Sequence, residues 1–210
     1  MARARFARED ADYRRQSLID AAATCLAKNG VAGTSVRAIC KEAGVSAGLL
    51  THYFEGIGDL VTATYRDLGE RVGKAIEQAV AAAGDDPRAR LEAYVTANFH
   101  SPVLDPELLA TWLAFWSLVK TDPAIAAVHG EIYAEFRHGV EALLRKCWDD
   151  EAAEDEVRLS AIAISALVDG LWLELCLDKR SFSAAEASGL AHRWLDSLLE
   201  RHPARTSSRA

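Results

Sequence analysis

No stretch of the 210-residue chain approaches the roughly 18 consecutive apolar residues of a membrane span. Met1 to Arg15 is a mixed-charge segment without the apolar centre of a secretory signal. A cytoplasmic protein is therefore expected. Cysteine is sparse: Cys25, Cys40, Cys147 and Cys176 stand far apart, form no C-x-x-C pair and do not cluster with histidine at zinc-ligand spacing. That excludes a disulfide framework or structural zinc as the organising device, and small thiols at apolar helical positions read as core filler. There is no P-loop, no G-x-S-x-G elbow and no dinucleotide-binding glycine pattern. No run alternates with period two, so strands are not expected.

What is present is half apolar and about a quarter charged, the balance of a globular chain that can bury a real core. The net charge of −7 argues at first against a nucleic-acid partner. Its distribution argues the other way. Up to Tyr53 there are eight Lys and Arg against five acids, and beyond it sixteen against twenty-six. A small basic module on an acidic body points to nucleic acid.

The few prolines punctuate helices. Asp86-Pro87, Asp105-Pro106 and Asp122-Pro123 each set a capping carboxylate before a proline in the first turn. Ser183-Ala184-Ala185-Glu186 has the form of a capping box. With apolar periodicity these signals predict about nine helices, at roughly 12–29, 35–43, 46–53, 58–83, 87–100, 106–120, 123–148, 154–178 and 184–200. The fold expected is all-α. An N-terminal three-helix module (1–56) precedes a larger helical domain (57–202) and a disordered tail (203–210).

In the module, Leu18, Ile19, Ala22, Cys25 and Leu26 share one face of the first helix, and Gly30 supplies a left-handed stop. Thr34 is expected to cap a second helix whose Val36, Ile39, Cys40 and Ala43 turn inward and leave Arg37 and Lys41 free. Gly44 allows a sharp turn, and Ser46 caps a short third helix with Val45, Leu50 and Phe54 inward. Its outward positions would be Ser46, Ala47, Gly48, Leu49, Thr51 and His52. Small and hydroxyl-bearing residues there let a backbone approach the major groove, and Leu49 suits a thymine methyl. On periodicity alone the same pattern also describes an ordinary helical corner.

The stretch "TSVRAICKEAGVSAGLLTHYFEGIGDL" resembles the DNA-binding module of the TetR family over roughly Arg14 to Tyr65. By position, the resemblance assigns base and phosphate contacts to Thr34, Arg37, Ser46, Ala47, Gly48, Leu49, Thr51, His52 and Tyr53. It implies double-stranded DNA with a palindromic operator as partner, a homodimer, and a small-molecule effector. One position departs from the pattern. Ile57 stands where the family has a phosphate-facing lysine, and an N-terminal arm with Arg3, Arg5 and Arg8 is the expected substitute.

Two residue patterns mark the body. On the helix expected at 154–178, Ile164, Val168, Leu171 and Leu175 form one stripe, and Ser165, Asp169, Trp172 and Cys176 form another. With Leu190, Trp194 and Leu198 of the last helix, Ile164, Val168, Leu171 and Leu175 would build an intersubunit four-helix bundle, as in the family. The stretch "ATWLAFWSLV" sets Trp112, Phe115 and Trp116 on one face, either as core or, with Phe99, Tyr133, Trp172 and the Asp169 carboxylate, as an aromatic cage for a cation. "ANFH", "TWLAFW" and "LVDGLWLELCL" resemble the BetI-type subgroup, which implies choline or another organic cation as effector. The reading implies no enzyme, no cofactor and no metal. Two alternatives remain: a helical di-iron enzyme, from the Glu-x-x-His spacing of Glu135 and His138, and a DNA-independent dimeric scaffold.

Overall fold

The computed structural model describes residues 2–148, 153–178 and 180–200, with side chains placed from residue 11 onward. Among them the chain forms nine α-helices and no strand. They are α1 (Ala2–Gly33), α2 (Val36–Ala43), α3 (Ala47–Tyr53), α4 (Ile57–Ala82), α5 (Pro87–Thr96), α6 (Pro106–Leu118), α7 (Pro123–Cys147), α8 (Glu154–Leu177) and α9 (Ala184–Leu199), with a 3-10 turn at Ala97–Phe99. Pro87, Pro106 and Pro123 open their helices as expected, since a first-turn residue has no intrahelical use for its N–H. The Ser183–Glu186 capping box is complete.

Three local features differ from the sequence reading. Backbone helix begins at Ala2, well before residue 12, although the break expected at Gly30 is there, with φ at 63°. Ser35, not Thr34, caps α2: its Oγ accepts from the Ala38 amide at 3.2 Å, while the Thr34 hydroxyl donates to the Gly30 carbonyl at 2.8 Å. The helix expected at 87–100 ends at Thr96, because the Asn98 side chain donates to the carbonyls of Tyr94 and Val95 and tightens the last turn. The tail at 203–210 and the side chains of Arg3, Arg5 and Arg8 lie outside the described residues.

The chain divides into two compact units, one of Met1–Glu70 with Pro106–Gly130, the other of Arg71–Asp105 with the chain from Glu131. In the first, Leu18, Ile19, Ala22 and Cys25 of α1 pack with Ile39, Leu50, Phe54 and Leu60. Each fully buried aliphatic chain contributes about 1.5–3 kcal/mol. The α6 helix joins this unit by packing on α1, where the Thr111 hydroxyl donates to the Glu107 carbonyl of its own helix at 2.8 Å and lies 3.3 Å from the Ala23 carbonyl. The ring of Tyr65, fully buried on α4, stacks on Phe115 at 4.2 Å and meets Trp112 edge-on at 5.7 Å. Its hydroxyl is hydrogen-bonded to His129 Nδ1 at 2.9 Å.

In the second unit, α9 packs on α5 and α8. The Tyr94 ring lies against Gly139 of α7, and its hydroxyl donates to the Phe136 carbonyl at 3.2 Å.

Candidate functional site

The short α3 has seven residues, too few to be stable alone, so its orientation is set by what it buries. Leu50 is wholly buried and Phe54, just past its end, nearly so, while Val45 and Tyr53 pack against the same core. Gly44, at φ 66°, is left-handed and turns the chain between α2 and α3. Ser46 caps α3 with Oγ accepting from the Leu49 amide at 3.4 Å. Of the positions assigned to DNA, Arg37, Ser46, Ala47, Gly48, Thr51 and His52 are exposed, and Thr34, Leu49 and Tyr53 are half-buried. A helix locked by its inner face thus presents small, hydroxyl-bearing and imidazole groups outward. The Thr51 hydroxyl donates back to the Gly48 carbonyl at 3.1 Å, which leaves its lone pairs outward.

Ile57 packs against the core of this module, so the side chain in the lysine position is half-buried on its apolar interior. Sequence reading missed Arg15, whose guanidinium sits over the Phe54 ring 5.1 Å from its centroid. The signal is a cation one turn before Leu18 and Ile19, on the same face as theirs. It is weak, because a charge at the edge of an apolar face is common.

The residues offered for a ligand fall into both units. Trp112 and Phe115 are buried in the first with Tyr65, and the half-buried Trp116 places its indole Nε1 out of solvent without a hydrogen-bond partner among the described residues. Tyr65 itself was missed, although Leu60, Thr64 and Leu68 flank it at helical spacing. In the second unit, Trp172 and Asp169 are three apart on α8 and share a face. The Tyr133 hydroxyl donates to Asp169 Oδ1 at 3.1 Å, and the Trp172 indole donates to the Asn98 carbonyl at 2.7 Å. Asn98 and Phe99 are both buried in the 3-10 turn. Burial pushes the Asp169 carboxyl up to about 6, against the opposing pull of the Tyr133 hydrogen bond and the Arg137 charge. A half-buried carboxylate held by a phenol beside an indole can receive a cation.

On α8 and α9 the residues expected at a subunit contact differ in burial within the protomer. Ile164, Val168, Leu175 and Leu198 are buried within the protomer, which leaves them little surface for a partner. Leu171 and Trp194 are half-buried, and Leu190 is exposed. The exposed apolar stripe of α8 runs instead through Leu159, Ile162, Ala166, Gly170 and Leu177.

Two family models match. Residues 18–64 match bacterial regulatory proteins of the tetR family, and residues 87–200 match the C-terminal region of BetI-type transcriptional repressors. The chain belongs to the TetR family, in its BetI-type branch. The HTH-type transcriptional regulator BetI of Yersinia pestis is 33% identical over 187 residues, which cover 89% of this chain and 92% of that protein. A crystal structure from Pseudomonas aeruginosa PAO1, assigned as a transcriptional regulator, superposes with a TM-score of 0.83 at 38% identity, covering 90% of this chain and 91% of that one. A Saccharomonospora viridis protein assigned to the same role and crystallised with choline shares the fold, with a TM-score of 0.75 at 21% identity over 88% of this chain and 96% of that one. This protein is accordingly a TetR-type transcriptional regulator.

Two further features read differently once the BetI-type fold is known. Over part of α8 the mean hydropathy reaches 1.7, enough by length and composition alone for a membrane span. In this fold the value reflects a helix buried inside its protomer on one side and apolar on the other. Glu135 and His138 are both exposed. Among the described residues the cluster of possible metal ligands is a different one, Glu92, His192 and Asp196. There the Arg88 guanidinium already bonds Glu92, at 3.0 Å, and Asp196.

Proposed function

We propose that the protein is a dimeric repressor released from a palindromic operator by a small organic cation, choline being the first to test. The supporting observation is the Asp169 carboxylate, half-buried yet bonded by Tyr133, with Trp172 on the same helix face. A permanent cation at that carboxylate repays the desolvation that burial imposes, and an aromatic face under a desolvated cation adds up to about 2 kcal/mol. Phe99 of the same unit completes the proposed set. The choline-bound relative of the same fold supports this ligand class.

In this reading Thr34, Arg37, Ser46, Ala47, Gly48, Leu49, Thr51, His52 and Tyr53 meet DNA in the cytoplasm. Two copies must be held so that both α3 helices reach half-sites about 34–36 Å apart. The exposed stripe of α8 with Leu171, and Leu190 and Trp194 of α9, supplies the subunit contact, and Ala166 and Gly170 let the helices approach closely. The effector shifts the balance between operator-competent and incompetent dimers only by its difference in affinity for the two. Because α4 follows α3 directly, it carries that change to the recognition helix.

A gel-shift titration of the operator complex with choline tests the assignment. Release at saturating choline is expected. Persistence of the complex would sink the effector and leave the DNA-binding regulator standing.

A further inference from the structure

From Glu42 to Tyr65, a span that contains the whole of α3, the sequence has no Lys or Arg. A helix that must lie against phosphates therefore brings no permanent cation of its own. The joint that follows is acidic: Glu55 and Asp59 stand there, and the Glu55 amide donates to Asp59 Oδ2 at 3.1 Å. Ile57, between them, is turned to the core. Lys28 on α1 is engaged elsewhere, paired to Glu42 at 3.3 Å.

The fold compensates at one point. Arg15 is exposed, yet its guanidinium is seated over the ring of Phe54, the residue that ends α3, 5.1 Å from the centroid. The guanidinium is exposed, and its planar fork of N–H groups suits bidentate binding of a phosphate. Tyr53, the adjacent residue, is one of the proposed phosphate contacts. The geometry points to Arg15 as a DNA phosphate-binding residue that supplies, from α1, the cation missing at the end of the recognition helix. This deepens the operator-binding reading and rests on it.

The test uses full-length protein and a duplex recovered by wild-type protein from a random-sequence library, with affinity measured between 50 and 200 mM salt. One phosphate contact contributes about 0.9 to the log-log salt slope, or about 3.5-fold in affinity across that range. Arg15→Gln is expected to lower the slope by about one, with its melting temperature close to wild type because the side chain is exposed. Arg15→Lys is expected to restore the slope. A slope unchanged in Arg15→Gln, or lowered equally in Arg15→Lys, would overturn the assignment and leave operator binding intact. Failure of the wild-type protein to recover any duplex or to bind DNA in a salt-dependent way would overturn both.

Discussion

Tyr133 donates its hydroxyl hydrogen to Oδ1 of Asp169 across 3.1 Å, and burial still holds that carboxyl up to about 6. A permanent cation and a proton then compete for one group. Choline affinity is expected to be flat above pH 6 and to fall by up to tenfold per unit below it. Asp169→Asn should bind choline at least about tenfold more weakly, with no such dependence. Calorimetric titration from pH 5 to 8 measures both. A wild-type profile flat over that range would remove Asp169 from the site.

The same shift affects stability. The folded-state value lies above the ordinary 3.8, so ionisation costs more in the folded chain. The penalty is absent below about pH 4 and complete above about pH 6. Asp169→Asn is free of it and should gain on the wild type as pH rises through that window, by at most about 3 kcal/mol. Urea midpoints at pH 5 and 7.5 show the change. An equal difference at both would mean that burial does not disfavour the ionised carboxyl.

On α8, Ile162 is 41% exposed and Ile164 fully buried. Ile162→Glu should leave the protomer folded and shift the dimer toward monomer, because a charge has no partner inside an apolar contact. Ile164→Ala should instead cost about 2–5 kcal/mol of stability and leave association comparatively intact. Sedimentation velocity and thermal melts separate the two. A fully dimeric Ile162→Glu protein would show that this stripe is not the interface.

Helix number, the proline-led starts and the inward face of α3 are legible because each is written within a few residues: Asp86-Pro87 caps and opens a helix wherever the chain goes next. The choice of which α8 face the protomer buries is not local. Ile164 and Ile162 are equally apolar, and only packing against distant parts of the chain decides which one the protomer buries. The grouping of α6 with the N-terminal helices is equally remote, since the contact of Thr111 with Ala23 spans 88 residues. Ser35 and Thr34 are both good caps by type, and the choice falls to Ser35 because Thr34 is already bonded to Gly30. Arg15 escaped because its partner, Phe54, is 39 residues away.

Gly139 lies so close to Tyr94 that an added Cβ would stand 2.7 Å from Cζ and 2.9 Å from Cε2, and would meet the hydroxyl as well. Alanine gains about 1 kcal/mol in helix propensity over glycine. Overpacking against a ring fixed by its bond to Phe136 costs about 1–3 kcal/mol, so Gly139→Ala should destabilise on balance. In a Tyr94→Leu background the clash is gone and the sign should reverse. Denaturant midpoints of the four proteins check it, and a destabilising Gly139→Ala in both backgrounds would place the strain elsewhere.

Ser46 is exposed at the start of α3, where capping and DNA contact make opposite demands on one side chain. Its bond to the Leu49 amide is long at 3.4 Å, so Ser46→Ala should cost about 0.5 kcal/mol, the low end for a lost cap. Ser46→Asp keeps the cap and adds an anion at the positive end of the helix, which favours folding. Facing the groove, the same anion opposes the phosphates. Aspartate is therefore expected to preserve or raise the melting temperature and to lower operator affinity by about tenfold or more at low salt, with the gap narrowing as salt screens the repulsion. Alanine should instead bring a small loss of stability and only a small loss of binding. If Ser46→Asp bound DNA as tightly as the wild type at low salt, the start of α3 would not face the duplex.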